Sequence, residues 1–300
     1  MGKADHRNHA QSRPVQHPSQ RDAELEDWLN AQLYHPLSHR LALALSRTRI
    51  TPNMVSALGA MSIICAAAIY WHFDSLYGAM FGLAVHMNWH VLDGADGDLA
   101  RLTGRASPAG EIVDGLCDYA GHLVLYVVLA SVLAEQIGPS GWVLVIGAGI
   151  ARAFQTTFYE TQRRRYLWWT KGKSWIGATI NSTTERSAAT GKIVGFYLRL
   201  GQTMSGEASL VEQALADREN PSAKTLISRI EANFLPVLQQ SRVLSSNYRT
   251  LAIGIAMMAG SPIYFAIFEL VILNLVFALM VWKSHRALRQ VSAHLHSTSR

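Results

Sequence analysis

Apolar residues gather along this chain in stretches long enough to cross a lipid bilayer, set apart by short polar links. Six spans fit the pattern, near residues 54–73, 76–98, 111–135, 141–162, 246–260 and 263–283, because a helix needs about 20 largely apolar residues to cross the hydrocarbon core. The fifth is short and holds Gly254 and Gly260. Ahead of the first, residues 22–48 place Leu, Trp and Ala at helical spacing among Glu, Arg and His. That is the pattern of an amphipathic helix lying at the membrane surface. The expected fold is all-α, a polytopic membrane protein of about six transmembrane helices with this N-terminal interfacial helix.

The polar segments divide the rest. Residues 1–21 are rich in His, Gln, Arg and Pro and read as a disordered tail without the apolar run of a cleavable signal peptide. Residues 49–162 form a transmembrane core and residues 246–284 two C-terminal spans, followed by a tail at 285–300. Between them, 163–245 reads as a cytoplasmic or interfacial insertion. It opens on Arg163, Arg164 and Arg165, continues through Trp168, Trp169, Lys171, Lys173 and Trp175, and turns amphipathic around 207–240. Residues 188–203 are apolar enough to continue a buried helix instead.

Charge gives an orientation. The links at 72–77, 136–140 and 261–262 contain no Lys or Arg, whereas the N-terminal segment, the 99–110 loop, the stretch after 162 and the C-terminal tail are basic. By the positive-inside rule both termini face the cytoplasm. With 49% hydrophobic and 16% charged residues among 300, the chain is less charged than an average soluble domain. Its formal charge of +6 is accounted for by these loops and by anionic headgroups, so no nucleic-acid partner is called for. Cys65 and Cys117, the two cysteines, both fall inside predicted spans, which argues against a disulfide framework.

The chemistry concentrates between Asp93 and Asp118, DGADGDLARLTGRASPAGEIVDGLCD. An Asp at the centre of a membrane helix costs about 2.5 to 3.5 kcal/mol on the insertion scale. Such residues face a cavity, a partner or an ion pathway. Asp93 and Asp96 are three apart, Asp114 and Asp118 four apart, so each pair shares one helical face. Two facing helices would bring four carboxylates to one point. Hard divalent cations such as Mg2+ take oxygen ligands of this kind and keep positions open for water and phosphates; two of them about 3.5 to 4 Å apart form the clamp of many phosphoryl transfers. Gly97, Ala100 and Gly110 permit close approach, and the Arg101 guanidinium can fork onto a phosphate.

Asp93-x-x-Asp96-Gly97-x-x-Ala100-Arg101, eight further residues, then Gly110-x-x-x-Asp114-x-x-x-Asp118 resembles the signature of the CDP-alcohol phosphotransferases at all eight positions. Thr51-Pro52-Asn53 before the first span also looks like that family. The resemblance implies two Mg2+ ions, with Mn2+ a possible substitute, held by Asp93, Asp96, Asp114 and Asp118. It implies that Asp118 is also the catalytic base, and that Gly97, Ala100, Arg101 and Gly110 contact a CDP-linked donor. Ser107 and Asn53 are further candidates for nucleotide contact; Ser107 precedes Pro108 and reads equally as a turn residue. Homodimerisation is implied in the same way.

The expected reaction is attack by an alcohol on the phosphorus farther from cytidine, which forms a phosphodiester and expels CMP. At least one substrate is a lipid; CDP-diacylglycerol is preferred as donor on family frequency, and a CDP-linked polar alcohol with a lipid or phospho-alcohol acceptor is the alternative. Arg152, a charge inside the fourth span, has two readings: a structural partner for an aspartate, or a binding group for a phosphorylated acceptor. His86 and His90 read as packing or hydrogen-bonding residues, His122 as one that orients Asp118 or is satisfied within the bundle, and Asp98 as a solvated or capping residue. A different function class, a transporter using the carboxylates as an ion relay, requires a polar path through both leaflets. The acidic groups instead sit at the cytoplasmic ends of adjoining spans.

Overall fold

Short hydroxyl side chains set where the helices begin. A computed structural model describes residues 23–172, 208–215, 218 and 220–298, and these are helical with turns and no strand. Thr51 caps α2 (Pro52–His72) by accepting the Met54 N–H, Ser75 caps α3 (Leu76–Leu102) by accepting that of Gly78, and Ser107 caps α4 (Pro108–Ile137) by accepting that of Gly110. Each satisfies one of the backbone donors that a helix N-terminus leaves unpaired. Before them lies α1 (His35–Leu45). After them, α5 (Ser140–Lys171) ends at Gly172, whose φ of +64° is the left-handed conformation that glycine adopts without strain.

Further described α-helices are the short α6 (Ser209–Ala214), α7 (Pro221–Ser241), α8 (Ser246–Met258) and α9 (Ile263–Ile267). A π-helical turn, Phe268–Leu273, joins α9 to α10 (Asn274–Thr298). The first 21 residues and 188–203, for which a tail and a buried helix were expected, lie outside the described residues.

Among the described residues, three helical stretches are long and apolar enough to cross a membrane, Pro52–His72, Pro108–Ile137 and Ile263–Ala293. The other expected spans coincide with α3, α5 and α8. α3 carries His86, Asn88, His90 and Asp93 within its length, and α5 carries Arg152, Gln155 and Glu160, which lowers the hydropathy of both. α8 has only 13 residues.

The main core lies where α2, α3, α4, α5 and α8 meet, and includes Ile63, Trp89, Leu125, Leu129, Val145 and Ile253. α1 is packed against this bundle: Ala42 joins Val55, Ala95 and Leu99 in a smaller cluster, and Ser38 Oγ donates to the Val91 carbonyl at 2.8 Å. Leu37 and Leu43 of α1, and Leu33 of the π-helical turn Asn30–Tyr34 just before it, stay exposed. A further core joins the C-terminal part of α5 (Tyr166, Trp169) to α7 (Leu226, Ile230, Phe234) and α10 (Leu288). α5 runs through residue 162 without a break, so the boundary expected there is no helix end. The Arg163–Arg165 run continues the same helix because nothing in it disfavours helical φ and ψ.

One buried ion pair ties α8 to the π turn. Arg249 Nε lies 3.0 Å from Glu269 Oε2, with both side chains almost fully buried. The guanidinium also donates to Gln155 of α5 and to the Leu244 carbonyl, and Gln155 Nε2 donates to Asn274 Oδ1 at 2.9 Å. Burying two charges is costly unless pairing and further hydrogen bonds satisfy them. Here α5 and the turn before α8 supply those partners, and the start of α10 holds Gln155 in turn.

Candidate active site

The aspartates come from two helices whose spacing puts them on facing sides. Asp93 on α3 and Asp114 and Asp118 on α4 each place a carboxylate oxygen within 4.8 Å of the others. Asp96, one turn beyond Asp93, is buried, and its Oδ2 accepts a hydrogen bond of 2.6 Å from Ser56 Oγ of α2. Three hard oxygen donors so close together, with a fourth carboxylate fixed beside them, fit a divalent cation such as Mg2+ or Mn2+. Like charges crowded this closely also favour a bound cation.

Around this group the other expected residues fall into place unevenly. Gly97 lies on α3 with the Arg101 guanidinium beside it: a Cβ at Gly97 would meet Arg101 Nη1 at 3.4 Å. Ala100 precedes Arg101 on the same helix. Asn53 at the start of α2 approaches Gly110, where a Cβ would lie 3.3 Å from Ser107 Oγ and 3.9 Å from Asn53 Oδ1. Ser107 acts as the cap of α4, its Oγ accepting from the Gly110 N–H at 3.1 Å. This is the turn reading of that residue.

Asp98 departs from the sequence reading. It is buried, not solvated, and its Oδ1 accepts from Arg101 Nη2 at 2.5 Å while Oδ2 lies 3.7 Å from His39 Nδ1 of α1. The i, i+3 spacing on one helix face and the packing of α1 over α3 account for the difference. Arg101 therefore already has a carboxylate partner, with nearly half of its side chain exposed (46%).

The histidines are packing and hydrogen-bonding residues. His90 Nε2 lies 2.9 Å from Thr250 Oγ1, and its ring stacks on Tyr34. His122 Nδ1 lies 2.8 Å from the Asp118 carbonyl. His86 is fully buried with no hydrogen-bond partner for either ring nitrogen. Sequence reading missed two polar partners of the aspartates, Ser56 and Trp89; Trp89 Nε1 donates to Asp118 Oδ1 at 2.7 Å. Trp89 stands four residues before Asp93 on the same face of α3, and that spacing was the available signal.

A cavity of about 500 Å3 opens beside Asp118 between α4 and α5. Its polar lining includes Asp118, His122, Arg152, Thr156 and Ser246, and its walls are otherwise mostly apolar, among them Leu123, Val127, Ile146 and Ile150. Along α4 it extends from Gly115 to Ala130, about 22 Å at 1.5 Å per residue. Leu123, Ile146 and Ile150 in its walls are each more than half exposed, so the cavity is an open groove rather than an enclosed chamber. The Arg152 guanidinium sits over the Tyr126 ring, 5.7 Å from its centroid, rather than in an ion pair with a cluster aspartate. An arginine on an aromatic face keeps its donors available for an anion.

Residues 49–204, just over half of the chain, match the family model for CDP-alcohol phosphatidyltransferases. No curated protein matches the chain.

Proposed function

The chain belongs to the CDP-alcohol phosphatidyltransferase family, whose members transfer phosphate-containing groups, and from that premise we propose a membrane enzyme of phospholipid synthesis that joins a CDP-linked donor to an alcohol and releases CMP. The observation that carries this reading is the meeting of Asp93, Asp114 and Asp118 within 4.8 Å at the head of an apolar groove. A cytidine diphosphate needs cations, and a lipid needs a lipophilic channel. Both requirements converge on Asp118.

In this reading Asp93, Asp96, Asp114 and Asp118 would hold two Mg2+ ions, which when bound would supply positive charge to the diphosphate and to the departing CMP phosphate. Gly97 and Gly110 leave room for the nucleotide, Ala100 keeps that helix face low, and Arg101 directs its fork at a phosphate. Asn53 and Ser107 border the same opening. Asp118 takes the proton of the acceptor hydroxyl as its oxygen bonds to phosphorus. The bond from that phosphorus to the bridging oxygen breaks, CMP leaves with the bridging oxygen, and a phosphodiester remains.

The groove supports at least one lipid substrate, with CDP-diacylglycerol the preferred donor. Arg152, which lines the same groove as Asp118, is the residue for a phosphate on the acceptor. The alternation of basic and non-basic links supports six spans, with α3, α5 and α8 sheltered by the more apolar helices and the aspartates facing the cytoplasm. Exposed Leu33, Leu37 and Leu43 suit α1 and the turn before it to the membrane surface. Membership of the family supports a homodimer as the working assembly.

The test is CMP release from purified protein with Mg2+, given CDP-diacylglycerol, CDP-choline or CDP-inositol in turn with pooled alcohol acceptors. Release from CDP-diacylglycerol alone, abolished by chelator, is the expected result. Release only from a CDP-linked polar alcohol would reverse the donor assignment, and no release from any of them would overturn the reading.

A further inference from the structure

The geometry points to Trp89 as a positioning residue for Asp118: its indole N–H holds one carboxylate oxygen and so presents the other to the cation and to the acceptor hydroxyl. The inference rests on the proposed role of Asp118. It concerns a residue outside the eight signature positions and on the opposite helix.

The contact is short and directional. Nε1 lies 2.7 Å from Asp118 Oδ1, joining α3 to α4 across the site. An indole nitrogen only donates, so the bond has one polarity and requires the carboxylate oxygen as acceptor. Hydrogen bonds to an ionised oxygen are shorter and stronger than neutral ones.

The ring itself cannot turn away. His90 lies 4.3 Å from it between centroids, and His122 meets it edge-on at 4.5 Å and 80°. On the α2 side Gly59 approaches so closely that a Cβ there would lie 3.3 Å from Trp89 Cδ1. His122 also fixes the main chain of Asp118, since a carbonyl only accepts and the 2.8 Å contact makes Nδ1 the donor. Carboxylate and carbonyl of Asp118 are thus both tied to one aromatic cluster. A buried indole N–H needs some acceptor, but a backbone carbonyl would satisfy it. Here it takes one oxygen of the proposed base instead.

Two replacements separate hydrogen bonding from packing. Trp89→Phe removes the N–H along with part of the ring; β-(3-benzothienyl)alanine at position 89 keeps the bicyclic shape and puts sulfur in place of N–H. Each is compared with the unaltered full-length chain for kcat and KM of CMP release, and for Mn2+ affinity by electron paramagnetic resonance without nucleotide. Partners that orient metal-binding groups are worth about 10- to 100-fold in affinity or activity. Both replacements should therefore lower kcat by about 10-fold or more and weaken Mn2+ binding about 10-fold, with the donor KM little changed. A benzothienyl protein with unaltered kcat and Mn2+ affinity would overturn the inference, even if the Phe variant is impaired. Should the unaltered chain release no CMP, the transferase reading fails, and the Mn2+ affinities alone still decide the role of Trp89.

Discussion

Ser56 Oγ of α2 donates to Asp96 Oδ2 of α3 at 2.6 Å, so a helix without a signature residue orients one of the signature carboxylates. With both groups buried, no water can take over the bond. Ser56→Ala is expected to raise the Mg2+ concentration needed for half-maximal CMP release about 10-fold. A metal titration of the variant checks this, and an unchanged midpoint would mean that Asp96 needs no such support.

Asp118→Asn should abolish turnover and leave nucleotide binding largely intact, because it removes the proton acceptor and spares the carboxylates of Asp93 and Asp114. Asp93→Ala should weaken both metal and donor binding. Calorimetric titration of a CDP-linked ligand with and without chelator distinguishes the two, and donor affinity indifferent to chelator would contradict a cation-based clamp.

The buried Arg249–Glu269 pair predicts a non-additive stability result. Arg249→Leu alone leaves Glu269 buried and uncompensated, at a cost of about 3 to 5 kcal/mol. Replacing Glu269 by Leu as well should recover most of that loss, since apolar replacement of a whole buried pair is often neutral or better. Thermal unfolding in detergent of the two single variants and the double variant measures the coupling.

Filling the groove should separate lipid binding from the chemistry. Ile146 lines it from α5 and lies well away from the three carboxylates in sequence. Ile146→Trp is expected to raise KM for a long-chain lipid substrate about 10-fold, within the range that apolar fit in a pocket commands. A short-chain analogue assayed beside it should be affected much less. Equal effects on both would indicate that the groove holds no acyl chain.

The spacing of Asp93, Asp114 and Asp118 was legible because three- and four-residue intervals state a helix face without reference to any other part of the fold. The caps were nearly as local, and Ser107 before Pro108 is one of them. Asp98 was misread for the opposite reason: its burial depends on α1 packing over α3 and bringing His39 alongside, which no interval within α3 announces. Ser56 and Trp89 form their bonds across helices, over 40 and 29 residues of sequence. The continuation of α5 through Arg163–Arg165 was hidden because hydropathy marks where a membrane helix turns polar, not where it stops. Arg249 and Glu269 sit 20 residues apart in segments that otherwise read as apolar.

The unbroken run of α5 has a mechanical consequence. Its 32 residues make a rod about 48 Å long. Its N-terminal half lines the groove from Trp142 to Thr156, and its C-terminal end packs against the outlying helices through Tyr166 and Trp169. With no break in the helix between the two, the wall of the groove and the anchor of the outlying helices are parts of one element, and a change in its tilt would involve both.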